Sequence, residues 1–315
     1  MLRLPDPPRP RSLDELLDPQ LVARLSALDI TARKVLAGKL RGERRSRRRG
    51  ESVEFADHRP YSVGDDLRHV DWNIFGRLDR FFLKLFLEEE DLSLHIIIDA
   101  SGSHDCGNPS KFLLMQRLAA ALGYIALANL HRVQVTALGG LDSNLQPQLM
   151  TTIRDLRGRR RLADLARFLV QLEPGGATPF TEACKRVSLM RRGKGIMLIL
   201  SDFFVKEGYQ NGLSLLLGGG YELFALQVLS PQELEPEKDP EWGGDLRLKD
   251  CEDGDTAEVT ISAPLLKKYK ATLAAYCSQL SGYCTQRGIA CQTIPSSTPV
   301  DQVILDYLRR KGLVQ

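Results

Sequence analysis

None of the six cysteines (Cys106, Cys184, Cys251, Cys277, Cys284, Cys291) belongs to a Cys-x-x-Cys pair. Without that spacing or an export signal, free thiols are the expected state. Cys277, Cys284 and Cys291 recur every seven residues and read as small core hydrophobes, not metal ligands. Long apolar runs are lacking too: none reaches the roughly 18 to 20 residues of a membrane span, and the opening MLRLPDPPRPRS has no hydrophobic centre for a signal peptide. A cytoplasmic protein is expected. With 43% apolar composition, the 315 residues suffice for one large α/β core plus an extension.

What the chain does have is an uneven charge. Residues 1–50 hold 13 Lys+Arg against 6 Asp+Glu, a balance of +7, which leaves 30 against 34, or −4, for residues 51–315. Six arginines (Arg41, Arg44, Arg45, Arg47, Arg48, Arg49) crowd into GKLRGERRSRRRG, where mutual repulsion disfavours a packed helix and favours a solvated or partner-bound strand. An acidic partner is implied. Ahead of this run, Ser12 offers an N-cap and Leu21, Leu25 and Leu28 recur at helical spacing, which predicts a helix over about 13–40 with a break at Pro19.

From Leu92 onward short apolar runs alternate with amphipathic stretches, the pattern of a parallel sheet covered by helices on both faces. Strands are predicted at 92–98, 132–138, 145–150, 195–200, 221–229 and 289–294, and helices at about 110–129, 160–172, 179–192, 208–217, 264–287 and 299–312. The expected fold class is α/β, a doubly wound, mostly parallel sheet. Residues 231–262 break the alternation: 245–248 and 257–261 flank the acidic turn Cys251-Glu252-Asp253-Gly254-Asp255 and read as an inserted β-hairpin. Two regions follow: 1–91, with the helical and basic arm, and 92–315, the α/β domain.

The predicted first core strand ends in Asp99-Ala100-Ser101-Gly102-Ser103, so a carboxylate and two hydroxyls leave the sheet at alternate positions. That edge is where ligands bind in open α/β sheets. A small hard dication needs oxygen ligands in near-octahedral array, and Gly102 permits the bend that turns three oxygens toward one point. Thr178 stands in the glycine-rich loop Glu173-Pro174-Gly175-Gly176-Ala177-Thr178-Pro179, and Asp202 follows the apolar run IMLIL. Each residue alone has a structural reading, Thr178 for example as an N-cap before Pro179. As a set, Asp99, Ser101, Ser103, Thr178 and Asp202 resemble the metal-ion-dependent adhesion site of von Willebrand factor A and integrin inserted domains. The resemblance implies that Ser101, Ser103 and Thr178 bind a divalent metal directly and that Asp99 and Asp202 do so directly or through water. Mg2+ is the expected ion, with Mn2+ or Ca2+ as alternatives. His104, standing where that family commonly has methionine, is expected at the rim of the site, since an oxygen-ligated Mg2+ has little use for imidazole.

A second signature lies upstream, in EFADHRPYSVGDDLRHVDWNIFGRLDRFFLKLFLEEED. Arg59, Arg68, Arg77 and Lys84 face Asp65, Asp66, Asp71, Glu88 and Glu89, and paired charges around Tyr61 and Trp72 predict either a buried structural clasp or a partner-binding surface. The residues Arg59, Tyr61, Gly64, Asp65, Asp66, Arg68, Asp71 and Trp72 form an Arg-x-Tyr-x-x-Gly-Asp-Asp-x-Arg-x-x-Asp-Trp pattern, which resembles the hallmark of the bacterial family catalogued as domain of unknown function 58. The likeness spans roughly residues 35–310. It implies partnership with a MoxR-type AAA+ ATPase in protein maturation or remodelling.

The leading expectation is a non-catalytic, metal-dependent protein-interaction adaptor. A metal-dependent phosphohydrolase is the alternative, but such an enzyme wants a second carboxylate where Ser101 stands. A Gly-x-Ser-x-Gly nucleophile elbow is also missing, because Ala100-Ser101-Gly102 lacks the first glycine. Nucleic-acid binding through residues 41–49 is a third reading, weakened by the net acidity of the remainder and the lack of interleaved aromatics.

Overall fold

The computed structural model describes residues 9–31, 54–63, 65, 67–87, 92–190, 195–218, 220–238, 244–249 and 255–314. In chain order the elements are α1 (Leu13–Leu16), α2 (Pro19–Leu25), β1 (Glu54–Pro60), α3 (Trp72–Leu78), β2 (Phe82–Leu87), β3 (Ser93–Asp99), α4 (Lys111–Ala128), β4 (Arg132–Leu138), β5 (Met150–Arg157), α5 (Leu162–Val170), α6 (Phe180–Met190), β6 (Gly195–Ser201), α7 (Gln210–Leu217), β7 (Tyr221–Leu229), α8 (Pro231–Leu234), β8 (Gly244–Lys249), β9 (Thr256–Ile261), α9 (Ala263–Gln286) and β10 (Ala290–Pro295). Helical turns over 300–311 close the chain. The chain divides into two compact units, residues 40–91 and the larger remainder of 1–39 with 92–315. Residues 1–39 thus count with the larger unit, whereas the sequence reading grouped them with 40–91.

In the larger unit six strands form one sheet in the order β10-β7-β6-β3-β4-β5. Every neighbouring pair is parallel except β4 with β5. Counted within this sheet alone the order is 3-2-1-4-5-6, the doubly wound arrangement whose switch point lies between its first and fourth strands, here β3 and β6. The α/β expectation is met. Successive side chains of a strand point to opposite faces, so Leu94, Ile96 and Ile98 of β3 join Leu118, Leu122 and Ile125 of α4 in one cluster. Ile97, Met197 and Ile199 face the other way, against Phe180 and Val187 of α6, Leu213 of α7 and Leu280 of α9. Burial on both faces is why these strands read as continuous apolar runs.

The inserted hairpin is present, β8 pairing antiparallel with β9; of its turn, residues 251–254 lie outside the described residues, as does the arginine run at 41–49. Three expectations need correction. The helix expected over 13–40 breaks at Pro19 as expected but is much shorter, and residues 32–40 lie outside the described residues: Pro19 occupies the first turn of α2, and Asp18 caps it by accepting the Gln20 N–H at 3.0 Å. That second helix ends at Leu25, Ser26 turning its hydroxyl back to the Ala23 carbonyl at 2.7 Å. The strand expected at 145–150 runs instead from Met150 to Arg157, because Asp142 takes the Asn144 and Gln146 N–H groups on one carboxylate oxygen and makes 142–146 a turn. Finally, α4 is long and apolar enough to cross a membrane by length and composition, with mean hydropathy 1.3 over 18 residues. It is a core helix, 78% buried against the sheet and its neighbours.

Candidate metal centre

The carboxyl ends of β3 and β6 bring four of the five predicted residues to one edge directly and the fifth through its loop. β3 delivers Asp99, and the short turn Gly102–His104 that follows carries Ser101 and Ser103. The Thr178 loop is tied to that turn by two backbone hydrogen bonds, Gly175 N–H to the Ala100 carbonyl at 2.9 Å and Gly102 N–H to the Gly176 carbonyl at 2.8 Å. Gly139, just past β4, has φ +72 and no room for a Cβ against the Thr178 hydroxyl. A glycine is therefore required where β4 passes under the threonine.

The oxygens converge. Asp99 Oδ1 accepts the Ser101 N–H at 3.1 Å and the Thr178 hydroxyl at 3.4 Å, while Oδ2 accepts the Ser201 hydroxyl at 2.7 Å. The Ser101 and Ser103 hydroxyls lie 3.0 Å apart. Asp99, Ser101 and Asp202 are buried, and Ser103 and Thr178 are half-buried, so the Ser103 and Thr178 hydroxyls form the open side. Among the described residues no group of three or more His, Cys, Asp or Glu is placed to hold a metal. The donor set at this edge is one carboxylate with three hydroxyls, which suits a hard, oxygen-seeking dication and no soft one.

Asp202 is the exception. Its Oδ1 accepts the Phe204 N–H at 2.9 Å and its Oδ2 takes the Lys111 ammonium at 2.9 Å. Lys111 also reaches Glu233 Oε1 at 2.6 Å, and its own side chain is 0% exposed. Burial alone would push the Asp202 carboxyl up, but the Lys111 ammonium, by charge and by hydrogen bond, and the Phe204 N–H hold it below the usual carboxylate range. Burial likewise works against the Lys111 ammonium, and Asp202 and Glu233 outweigh it, raising the lysine above its ordinary value.

His104 is not at the rim, which corrects the expectation. It is 0% exposed, with Nε2 accepting the Asp202 N–H at 3.1 Å and Nδ1 lying 2.9 Å from Ser101 Oγ. Since Nε2 accepts, the neutral ring carries its proton on Nδ1 and donates to Ser101. The imidazole thus bridges the two loops and holds Ser101 by an outer hydrogen bond. Lys111, Ser201 and Glu233 are the residues that sequence reasoning missed, and His104 is the one it misplaced.

The upstream signature splits into two parts within its own unit. Asp71 caps α3, accepting the Asn73 and Ile74 N–H groups at 2.9 and 3.3 Å, and its other oxygen lies 3.0 Å from His58 Nε2. Arg59 donates to Asp65 Oδ1 at 2.7 Å, and Asp65 Oδ2 accepts the Ser62 N–H at 2.9 Å. Asp71 thus ties the start of α3 to β1 through His58, while Arg59 and Asp65 brace the loop that leaves β1. The aromatics do not sit inside that network as expected: Trp72 is 60% exposed, edge-on to Phe75 and Phe81, and Tyr61 is edge-on to Phe81. Arg68 is exposed, and Gly64 and Asp66 lie outside the described residues.

The fold and this edge define an open α/β protein with an oxygen cluster at the sheet's switch point. The chain belongs to the family described as protein of unknown function DUF58, which matches residues 57–277. Relatives include the uncharacterized protein Rv1480 of Mycobacterium tuberculosis (strain ATCC 25618 / H37Rv), 26% identical over 265 residues covering 82% of this chain and 80% of that one. The uncharacterized protein Mb1516 of Mycobacterium bovis (strain ATCC BAA-935 / AF2122/97) matches to the same extent, 26% over 265 residues with coverages of 82% and 80%. Among solved structures, the open conformation of the pilus adhesin SpaC from Lactobacillus rhamnosus GG is similar with TM-score 0.42 at 10% identity, over 72% of this chain and 30% of that one. The von Willebrand factor type A structure from Catenulispora acidiphila is similar with TM-score 0.30 at 16% identity, over 61% and 43% of the two chains.

Proposed function

We propose that this chain is a non-catalytic protein-interaction module whose site holds a divalent metal, Mg2+ foremost, and presents it to an acidic residue of a partner. The observation that carries this reading is the convergence of Asp99, Ser101, Ser103 and Thr178 at the carboxyl edge of the sheet, with the Ser103 and Thr178 hydroxyls on the open side. These four residues would hold the ion, and Asp202 would act from behind through Lys111 and His104. When bound, the metal supplies a Lewis-acidic point for one carboxylate oxygen from outside. A MoxR-type AAA+ ATPase or its client is the partner the family resemblance supplies, and the cytoplasm is the compartment that suits it.

The test is recovery of interacting proteins on the tagged full chain with Mg2+, with EDTA, and with Thr178→Ala in Mg2+. Association should be lost in the second and third conditions. Equal capture in all three would reduce any metal here to a structural role.

A further inference from the structure

We infer that Lys111 is an internal counter-ion that holds Asp202 out of metal contact and keeps the site's affinity for a metal low, so that Asp99 is the one carboxylate among the described residues that faces the ion. The inference rests on the metal reading above and deepens it. Lys111 is the first residue of α4, a helix otherwise buried against the sheet, and its side chain is 0% exposed. Burying an ammonium is costly unless it is paired and hydrogen-bonded. Here it has two carboxylates, Asp202 at 2.9 Å and Glu233 at 2.6 Å.

Glu233 is held for that role. It closes a capping box at α8, where its Oε2 accepts the Ser230 N–H at 2.6 Å and the Ser230 hydroxyl accepts the Glu233 N–H at 3.2 Å. Oε1 is left pointing at the lysine. On the other side, Asp202 has both oxygens engaged, one by Lys111 and one by the Phe204 N–H, while the Gln227 amide donates to the Asp202 carbonyl at 3.0 Å. To ligate a metal directly, Asp202 must give up the ammonium, leaving a buried cation beside a dication in a poorly screened interior. Asp202 therefore stays on Lys111, and the ion at the rim meets one carboxylate with three neutral hydroxyls. A dication so incompletely neutralised has reason to take a carboxylate from a partner, and little hold on the site without one.

The consequence has an unusual sign. Removing a buried, paired lysine ordinarily damages a site, whereas here it frees a carboxylate and removes a competing positive charge. The experiment is calorimetric titration of the full chain with Mn2+ alone, comparing wild type, Lys111→Met and Glu233→Gln. Lys111→Met should bind roughly tenfold more tightly or better. Glu233→Gln, which leaves the ammonium wholly to Asp202, should bind about threefold more weakly or worse. Measurable binding by wild type with unchanged or weaker affinity in Lys111→Met overturns the inference and leaves the metal reading standing. No binding by any of the three proteins overturns the metal reading and this inference together. Should Lys111→Met fail to fold, Glu233→Gln decides alone: unchanged or tighter binding there contradicts the counter-ion role.

Discussion

Asp202 shows how far neighbours override burial. Asp202 is 2% exposed, yet its carboxyl is held below the usual carboxylate range because Lys111 and the Phe204 N–H favour the charged form. A group whose folded pKa lies below its unfolded value contributes stability above the unfolded value, about 3.9 for aspartate, and loses it as pH falls through the folded one. Lys111 has the opposite sign: with its folded value raised, its contribution is complete below the unfolded value of about 10.4 and fades only at higher pH. The pair should therefore be intact across pH 5 to 9. Thermal melts of wild type and Asp202→Asn across that range should differ by a constant amount, and the difference should shrink below about pH 4. A difference that vanishes already near pH 6 would show that the pair does not stabilise the fold. From sequence, Asp99, Ser101 and Ser103 were legible as part of a set with Thr178 and Asp202, because they leave an apolar strand at alternate positions on the carboxyl edge of the sheet. Lys111 was not: a lysine opening an apolar helix looks solvent-facing until Asp202 and Glu233, 91 and 122 residues away, are brought to it.

The loops at the carboxyl edge depend on backbone as much as on side chains. Gly139 lies in the left-handed region at φ +72, and a Cβ there would run into the Thr178 hydroxyl. Gly139→Ala should therefore destabilise the fold by about 1 kcal/mol or more and displace Thr178, weakening metal binding on the order of tenfold. Denaturant unfolding and Mn2+ titration of the same preparation check both effects. An alanine variant with wild-type affinity would show that Thr178 is not a ligand. Most core strands were readable because both faces are buried and the runs are continuously apolar. β5 was misplaced for the converse reason: MTTIRDLR is a polar antiparallel edge, whereas the preceding Leu145, 67% exposed at φ +58, sits in the turn made by Asp142. The N-terminal helix was over-read past Leu25: Leu21, Leu25 and Leu28 all pack into or against one cluster and keep helical spacing, although the helix itself stops at Leu25.

At the scale of the whole molecule, the doubly wound sheet puts the switch point between β3 and β6, and the sequence puts its densest oxygen chemistry there. In the smaller unit, 40–91, Asp71 ties its helix to β1 through His58, Arg59 and Asp65 brace the loop between them, and Trp72 is left exposed. The DUF58 signature was recognisable in the sequence as a pattern, but its division into clasp and exposed aromatic surface was not, since spacing alone does not say which members are buried. The central claim is that the edge carrying Asp99 binds a divalent ion without contributing to the core. Calorimetric titration of the full chain with Mg2+ and Mn2+, wild type beside Asp99→Ala, tests it most directly, with circular dichroism on both proteins to establish that they are folded alike. The account predicts a single saturable site in wild type and none in the folded variant, and equal binding by the two proteins would contradict it.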